Sequence, residues 1–478
     1  MVEIEGIFHH KEALKIIDLL SKPRWGILSK KSSPLDKTKA FIKPRDKGFS
    51  LAFQYDIFTP GERKLKVGQY QRGINFVSNR RSIVLEDMFL NHFSPPKFGA
   101  QVGFLYSKGF SKRNSYYYRL VIPLKEELKF HYQIEETLFS TDLGYRSRTS
   151  TQATINDEVI SICVIHRGSK EFFLSIESTT SQSFESFSDK AHAVINGLGF
   201  ISGYLPGVKG YYFAYTTKHM KTPKYFYCCE FRDTIRAMLT PISSNPYSYL
   251  THKKAAAKKY QSKKILRCVK ISEFSNLCQH LHDSVALSGT ILLILESSVA
   301  SLLFRPGGYA MALEAISDII MKGSRTNIAP IKDKALSRKI AKECQDIITK
   351  HCATLLDADT LSLLNSRIGS NLNKPTNKAQ LKAPFDFLKI NLLPRDLQVL
   401  ETRNDLLHGR YPDITGEGKL RTNDRINRDL YYVSLRFYTL LNMVILKWCG
   451  FDGHIINYPK IQERYCKIKL KEDYFRKV

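Results

Sequence analysis

Carboxylates are scarce in this 478-residue sequence: 45 acidic residues stand against 73 lysines and arginines, for a formal charge of +28 and a pI near 9.6. Such an imbalance attracts polyanions, and nucleic acid is the commonest of them; a solvated lysine-rich surface is the plainer alternative. Cysteines number nine, an odd count without any Cys-x-x-Cys spacing, so neither a disulfide framework nor a zinc site is expected. Long apolar runs are missing as well. The most apolar stretch, 290–295, is stopped by Glu296, far short of the roughly 20 residues that span a bilayer. Glu3 and Glu5 precede any apolar segment, so no signal peptide and no membrane partner are expected, and a reducing cytoplasm fits. The N-terminal half also lacks a glycine-rich phosphate loop, a Gly-x-Ser-x-Gly elbow and clustered carboxylates that would point to an enzyme; no cofactor and no metal are expected. His166, His192 and His219 are scattered and read as ordinary structural histidines.

What is present is apolar residues enough for a large core, 43% of a chain whose length suggests two or three domains. Residues 1–45 hold one short helix, around 12–20, in an otherwise Lys-, Ser- and Pro-containing lead-in. From 46 to 240 aromatic and β-branched runs at 50–58, 81–90, 116–124, 160–166, 171–178, 211–217 and 225–231 predict antiparallel strands. Phe184, Phe187, Ala191, Val194 and Leu198 interrupt them at helical spacing, predicting a helix packed on the sheet. Residues 241–274 carry Lys253, Lys254, Lys258, Lys259, Lys263 and Lys264; pairs recurring every five residues would spiral round a helix, so a solvated connector is expected. An RNA-contacting arm is the alternative.

After 274 the pattern turns helical. Helices are expected at 277–299, 309–320, 336–356, 394–408 and from 423 or 424 to 450, with a loop-like Asn-, Ser- and Lys-containing stretch over 365–382. The fold class is therefore α+β, a β-rich N-terminal half with a packed helix followed by an all-α bundle over 275–478. The chemistry concentrates in the 394–408 helix. Pro394 suits its first turn, Gly409 a left-handed position just past its end, and Pro412 lies where no helix continues. Leu397, Leu400, Asn404 and Leu407 would share one face. His408, at a helix C-terminus, can give or take a proton near neutral pH. Arg403 keeps its proton and matches a phosphate with its planar fork. These are the parts needed to drive a ribose 2′-hydroxyl onto its own 3′-phosphate, without a metal. On one helix, however, five residues amount to about 140° of rotation, so a good site calls for two copies facing each other across a dyad.

Arg403, Asn404 and His408, as Arg-Asn-x-x-x-His at a helix end, resemble the signature of the HEPN ribonuclease superfamily. Gly450 to Tyr458, read as Gly-Phe-Asp-Gly-His-Ile-Ile-Asn-Tyr, resembles the end of the HEPN domain in ApeA-type anti-phage defence proteins. The resemblance covers about 275–460. It implies a helical bundle forming a homodimer or larger even oligomer, a composite Arg403/His408 site with Asn404 as orienter, and RNA as substrate, tRNA among the candidates. It also implies defence by RNA cleavage when a phage-derived trigger is sensed, with the β-rich half as sensor or regulator. Arg421, Arg425 and Arg428 crowd the start of the last long helix, where the macrodipole disfavours cations, and are RNA-binding candidates; Asp424 and Asp429 would neutralise them if they are plain surface. A non-catalytic RNA-binding bundle and the toxin of a toxin–antitoxin pair are the competing readings. The presence of both Arg403 and His408 argues against the first, and the large N-terminal half against the second.

Overall fold

A computed structural model describes residues 2–31, 33–54, 67–78, 81–94, 97–144, 146–324, 328–414 and 422–478. The chain has a β-rich N-terminal half and a helical C-terminal half, an α+β protein. It divides into two compact units, 1–299 with 449–456, and 300–448 with 457–478.

The first unit contains β1 (Val2–Phe8), α1 (Lys11–Leu20), β2 (Arg24–Ser29), β3 (Lys39–Pro44), β4 (Phe49–Gln54), β5 (Tyr70–Gln71), β6 (Ile74–Ser78), β7 (Arg81–Ser94) and β8 (Lys97–Ser107). It continues with β9 (Tyr117–Leu124), β10 (Thr137–Thr141), β11 (Arg146–Ile155), β12 (Glu158–Arg167), β13 (Glu171–Ser178) and α2 (Phe184–Ser202). After them come β14 (Tyr204–Leu205), β15 (Lys209–Tyr215), β16 (Tyr225–Glu230), β17 (Ile235–Arg236), α3 (Lys254–Ser262), α4 (Ile271–Asp283), α5 (Val285–Val299) and the late strand β18 (His454–Ile456). Six strands close on themselves in the antiparallel order β8-β4-β3-β2-β6-β7 and back to β8, a barrel. Strand β8 makes the closure possible. One of its edges pairs with β7, while the other pairs with β4 over Lys97 to Val102 and with β16 over Phe104 to Tyr106. From β16 an open sheet continues through β15, β9, β13, β12, β11 and β10 to β1, whose pairing with β10 is parallel.

Alternation explains the barrel core. Phe49, Leu51 and Phe53 of β4, Ala40 and Ile42 of β3, and Ile74 and Phe76 of β6 point inward and are buried, while their neighbours face out. The region read as a lead-in therefore supplies two barrel strands, β2 and β3, and the β3 lysines, Lys39 and Lys43, lie on the outer face. Of the strand expected at 50–58, residues 55–58 lie outside the described residues. Helix α2 starts on Ser183, which accepts from the Ser186 amide, and ends at Gly203 with φ +72°. It buries Phe187, Ala191, Val194 and Leu198 as the spacing predicts. The lysine-rich connector folds into α3, with Ala257 buried and Lys254, Lys258 and Lys259 exposed. The helix expected over 277–299 is two, because Ser284 is extended (φ −134°, ψ 103°) between α4 and α5, and both belong to the first unit.

The second unit contains α6 (Arg305–Ser324), α7 (Lys334–Cys352), α8 (Ala358–Asn371), α9 (Asn377–Phe387), α10 (Pro394–Glu401), α11 (Arg403–Leu407), α12 (Asn423–Trp448), α13 (Tyr458–Ile461), α14 (Glu463–Cys466) and the strand β19 (Phe475–Lys477). Helix α12 is its centre and is buried nearly all round from Leu430 to Leu446. Packing against α6 sets Tyr309 and Tyr438 with ring centroids 5.5 Å apart. The stretch read as loop-like over 365–382 is mostly helix. Asp357 caps α8 by accepting from the Thr360 amide at 2.8 Å, and Thr376 caps α9 by accepting from the Ala379 amide at 3.2 Å. Its polar composition reflects exposure: α7 and α8 bury no residue fully, and Leu336, Ile347 and Leu363 stay exposed on them, as does Leu355 in the turn between. Among the described residues no helix is long and apolar enough to cross a membrane.

Candidate functional site

Helix α10 begins with Pro394, and Asp396 caps it through its Oδ2, which accepts the Leu393 N–H at 2.8 Å. The same carboxylate is fully buried and holds two arginines. Arg436 of α12 donates to Oδ1 at 3.2 Å, and Arg476 of β19 donates to Oδ1 at 3.1 Å and Oδ2 at 2.8 Å. Arg436 also binds both oxygens of Glu472, at 2.8 and 2.9 Å, and the Tyr432 hydroxyl at 3.0 Å. Burial disfavours the Arg436 charge, but Glu472 more than restores it, and the Glu472 carboxyl is held below its ordinary range by Arg436 despite partial burial. This network fixes the direction in which α10 leads to the motif.

The continuous helix expected over 394–408 is broken at Thr402. The Thr402 N–H bonds to the Val399 carbonyl at 3.0 Å and its Oγ1 donates to the same oxygen at 2.7 Å, which tightens and ends α10. The break alters the expected apolar face. Asp396, Val399 and Leu400 are buried, whereas Asn404 and Leu407 turn outward and are exposed.

Arg403, Asn404 and His408 all lie on or at the end of the five-residue α11. Arg403 is mostly buried: it pairs with Glu314 of α6 through Nη2 and donates to the Asn404 side-chain oxygen through Nη1 at 2.8 Å. Its Nε has no hydrogen-bond partner among the described residues. The same Asn404 oxygen accepts from Asn377 of α9 at 3.3 Å, so one amide ties α9 and the arginine together. His408 caps the end of α11, its N–H shared between the Asn404 and Asp405 carbonyls at 3.1 and 3.2 Å, and Gly409 follows in the left-handed region at φ +69°. The His408 side chain is exposed and makes no hydrogen bond among the described residues. The motif thus presents a guanidinium positioned by two side chains next to a free, solvent-facing imidazole.

Arg421 lies outside the described residues. Thr422, not Asn423 or Asp424, caps α12, accepting from the Arg425 N–H at 3.3 Å. Arg425 stands 3.7 Å from Asp413 and Arg428 3.1 Å from Asp424, so each has an acidic partner; Asp429 is buried behind them. Glu314, Asp396, Arg436, Glu472 and Arg476 escaped the sequence reading. Only Asp396 left a local signal, an acidic residue two positions after a helix-opening proline.

In the first unit, His10, Cys163 and Glu177 bring three potential metal-ligand atoms within 4.8 Å of one another. They do not suit a cation, because Arg119 already occupies both Glu177 oxygens at 2.9 and 3.1 Å and is itself 1% exposed. His10 Nε2 lies 2.8 Å from Glu177 and Tyr215 accepts from Arg119 at 2.9 Å, so the cluster is an ion-pair lock between the start of α1 and the sheet. No family model, no curated protein and no solved structure matches this chain.

Proposed function

We propose that the protein is a metal-independent endoribonuclease of HEPN type, acting in the cytoplasm in bacterial anti-phage defence. The observation that carries this reading is Arg403 held by Glu314 and Asn404 beside an exposed His408 that has no side-chain partner among the described residues. In the reaction, an imidazole accepts the proton of a ribose 2′-hydroxyl as that oxygen bonds to the adjacent phosphorus. The bond from phosphorus to the 5′-oxygen breaks, that oxygen takes a proton from a second imidazole, and Arg403 stabilises the charge gathered on the phosphorane. The products are a 2′,3′-cyclic phosphate and a 5′-hydroxyl. Each chain has one such His, so base and acid come from two copies joined through the helical unit. The apolar side chains left exposed on α7 and α8, whose chain runs on into α9 against Asn404, support a partner copy near the motif. Arg425 and Arg428, once their carboxylates are exchanged for phosphates, extend the grip on RNA, tRNA among the candidates. The β-rich unit serves as sensor or restraint for a phage-derived trigger.

The test is incubation of the purified protein with total RNA in EDTA, beside Arg403→Ala and His408→Ala. Cleavage that survives EDTA, is lost in both variants and leaves cyclic-phosphate ends is expected. Ends carrying 5′-phosphate, or a requirement for a divalent metal, refute the mechanism.

A further inference from the structure

The outer face of the barrel carries chemistry that its packing does not require. In β2, Leu28 faces the core, and Gly26 lies against the Phe76 ring, where a Cβ would come within 2.6 Å; Trp25 and Ile27 face out. Trp25 is 66% exposed. Phe41 stands opposite it in β3, the ring centroids 5.0 Å apart, and Ala52 of β4 stands opposite Phe41. One row further on, Ile27 pairs with Lys39 on one side and Val77 on the other. Together with Lys97 and Gln54 at its rim, this face encloses a cleft of about 690 Å³.

Among the described residues no carboxylate pairs with Lys39 or Lys97 of the cleft, and between residues 24 and 54 eight basic residues stand against two acidic ones. An apolar protein partner would bury these lysines unpaired. Flat rings flanked by unpaired ammonium groups suit a ligand with exposed planar faces joined by anions. A duplex hides those planar faces in its stack.

We propose that the β2–β3–β4–β6 face of the barrel binds single-stranded nucleic acid, bases stacking on Trp25 and Phe41 and phosphates meeting Lys39 and Lys97. This surface does not depend on the cleavage reading. The chain has only two tryptophans, Trp25 and Trp448, so a full-length protein carrying His408→Ala and Trp448→Phe reports Trp25 alone and cannot degrade its probe if the nuclease reading holds. The probes are 12-nucleotide oligo-U RNA, oligo-dT of equal length, and a 12-base-pair duplex. Both single strands are expected to quench Trp25 emission saturably and the duplex is not; tighter binding of the RNA would mean that the 2′-hydroxyl is read as well. Trp25→Ala should weaken single-strand binding about tenfold, in line with roughly 1–3 kcal/mol per stacked base, and Trp25→Tyr should restore most of it. Lys39→Gln with Lys97→Gln should lower the slope of log affinity against log salt by about 1.4. Unchanged Trp25 emission at saturating oligonucleotide, equal quenching by the duplex, or wild-type affinity in Trp25→Ala overturns the proposal.

Discussion

Replacing Asp396 by Asn removes a negative charge on which two buried arginines depend. Arg436 would keep Glu472, at 2.8 and 2.9 Å, but Arg476 would keep only neutral acceptors, the new amide oxygen and the Asn391 carbonyl at 3.3 Å. With Asp396 fully buried and Arg476 8% exposed, the change leaves roughly one uncompensated cation in the interior. Breaking a buried pair from one side costs about 3–5 kcal/mol, mostly the desolvation of the charge left behind. In a unit of roughly 170 residues each kcal/mol moves the melting midpoint by about 2–4 °C, so a fall of at least ~6 °C is expected in the transition of the helical unit. Calorimetry of the full chain reads it. Arg476→Met added to Asp396→Asn should recover part of the loss, because the orphaned cation is then gone. RNA cleavage should fall in the single variant even below the new midpoint, since Asp396 fixes the helix that ends at the motif. A shift under about 2 °C, or no recovery in the double variant, would refute the assignment of this network as the anchor of α10.

Mixing Arg403→Ala with His408→Ala protein should restore part of the lost cleavage if one intact site forms from two chains; full activity in a protein shown to be monomeric under assay conditions refutes the composite site. Arg425→Gln with Arg428→Gln should weaken RNA binding across sequences and flatten its salt dependence by about one unit per lost phosphate contact, whereas an unchanged slope leaves both arginines to Asp413 and Asp424. Acid should loosen the β-rich unit: burial raises the Glu177 pKa, but Arg119 and His10 pull it from 4.5 down to about 2, so its stabilisation holds above about 4.5 and is lost as pH falls through that window towards 2. His10, lowered by burial and by Arg119, adds a loss that begins as pH falls below about 6.5, and a stability profile flat from pH 6.5 to 3 would refute both contributions.

Local periodicity alone determined a good deal. The aromatic and β-branched runs that became β4, β7, β9, β12, β13, β15 and β16 could be read because such residues favour strands and turn residues bound them, even where, as in β15, both faces are buried, and α2 because its apolar residues recur every three to four positions. Pro394 and Gly409 framed the motif helix for reasons internal to the backbone, and Arg403, Asn404 and His408 were visible as a pattern of residue types. Only the tertiary structure decided which strands close the barrel, because β8 serves β4, β7 and β16 along one length and no local rule selects partners. It also made helices of the polar 365–382 stretch, whose capping residues Asp357 and Thr376 outweighed a composition that resembles a loop. The break at Thr402 turned Asn404 and Leu407 outward, and Glu314, 89 residues away in sequence, became the partner of Arg403. Ion pairs of that kind depend on distance in space, and separation along the chain carries no record of it.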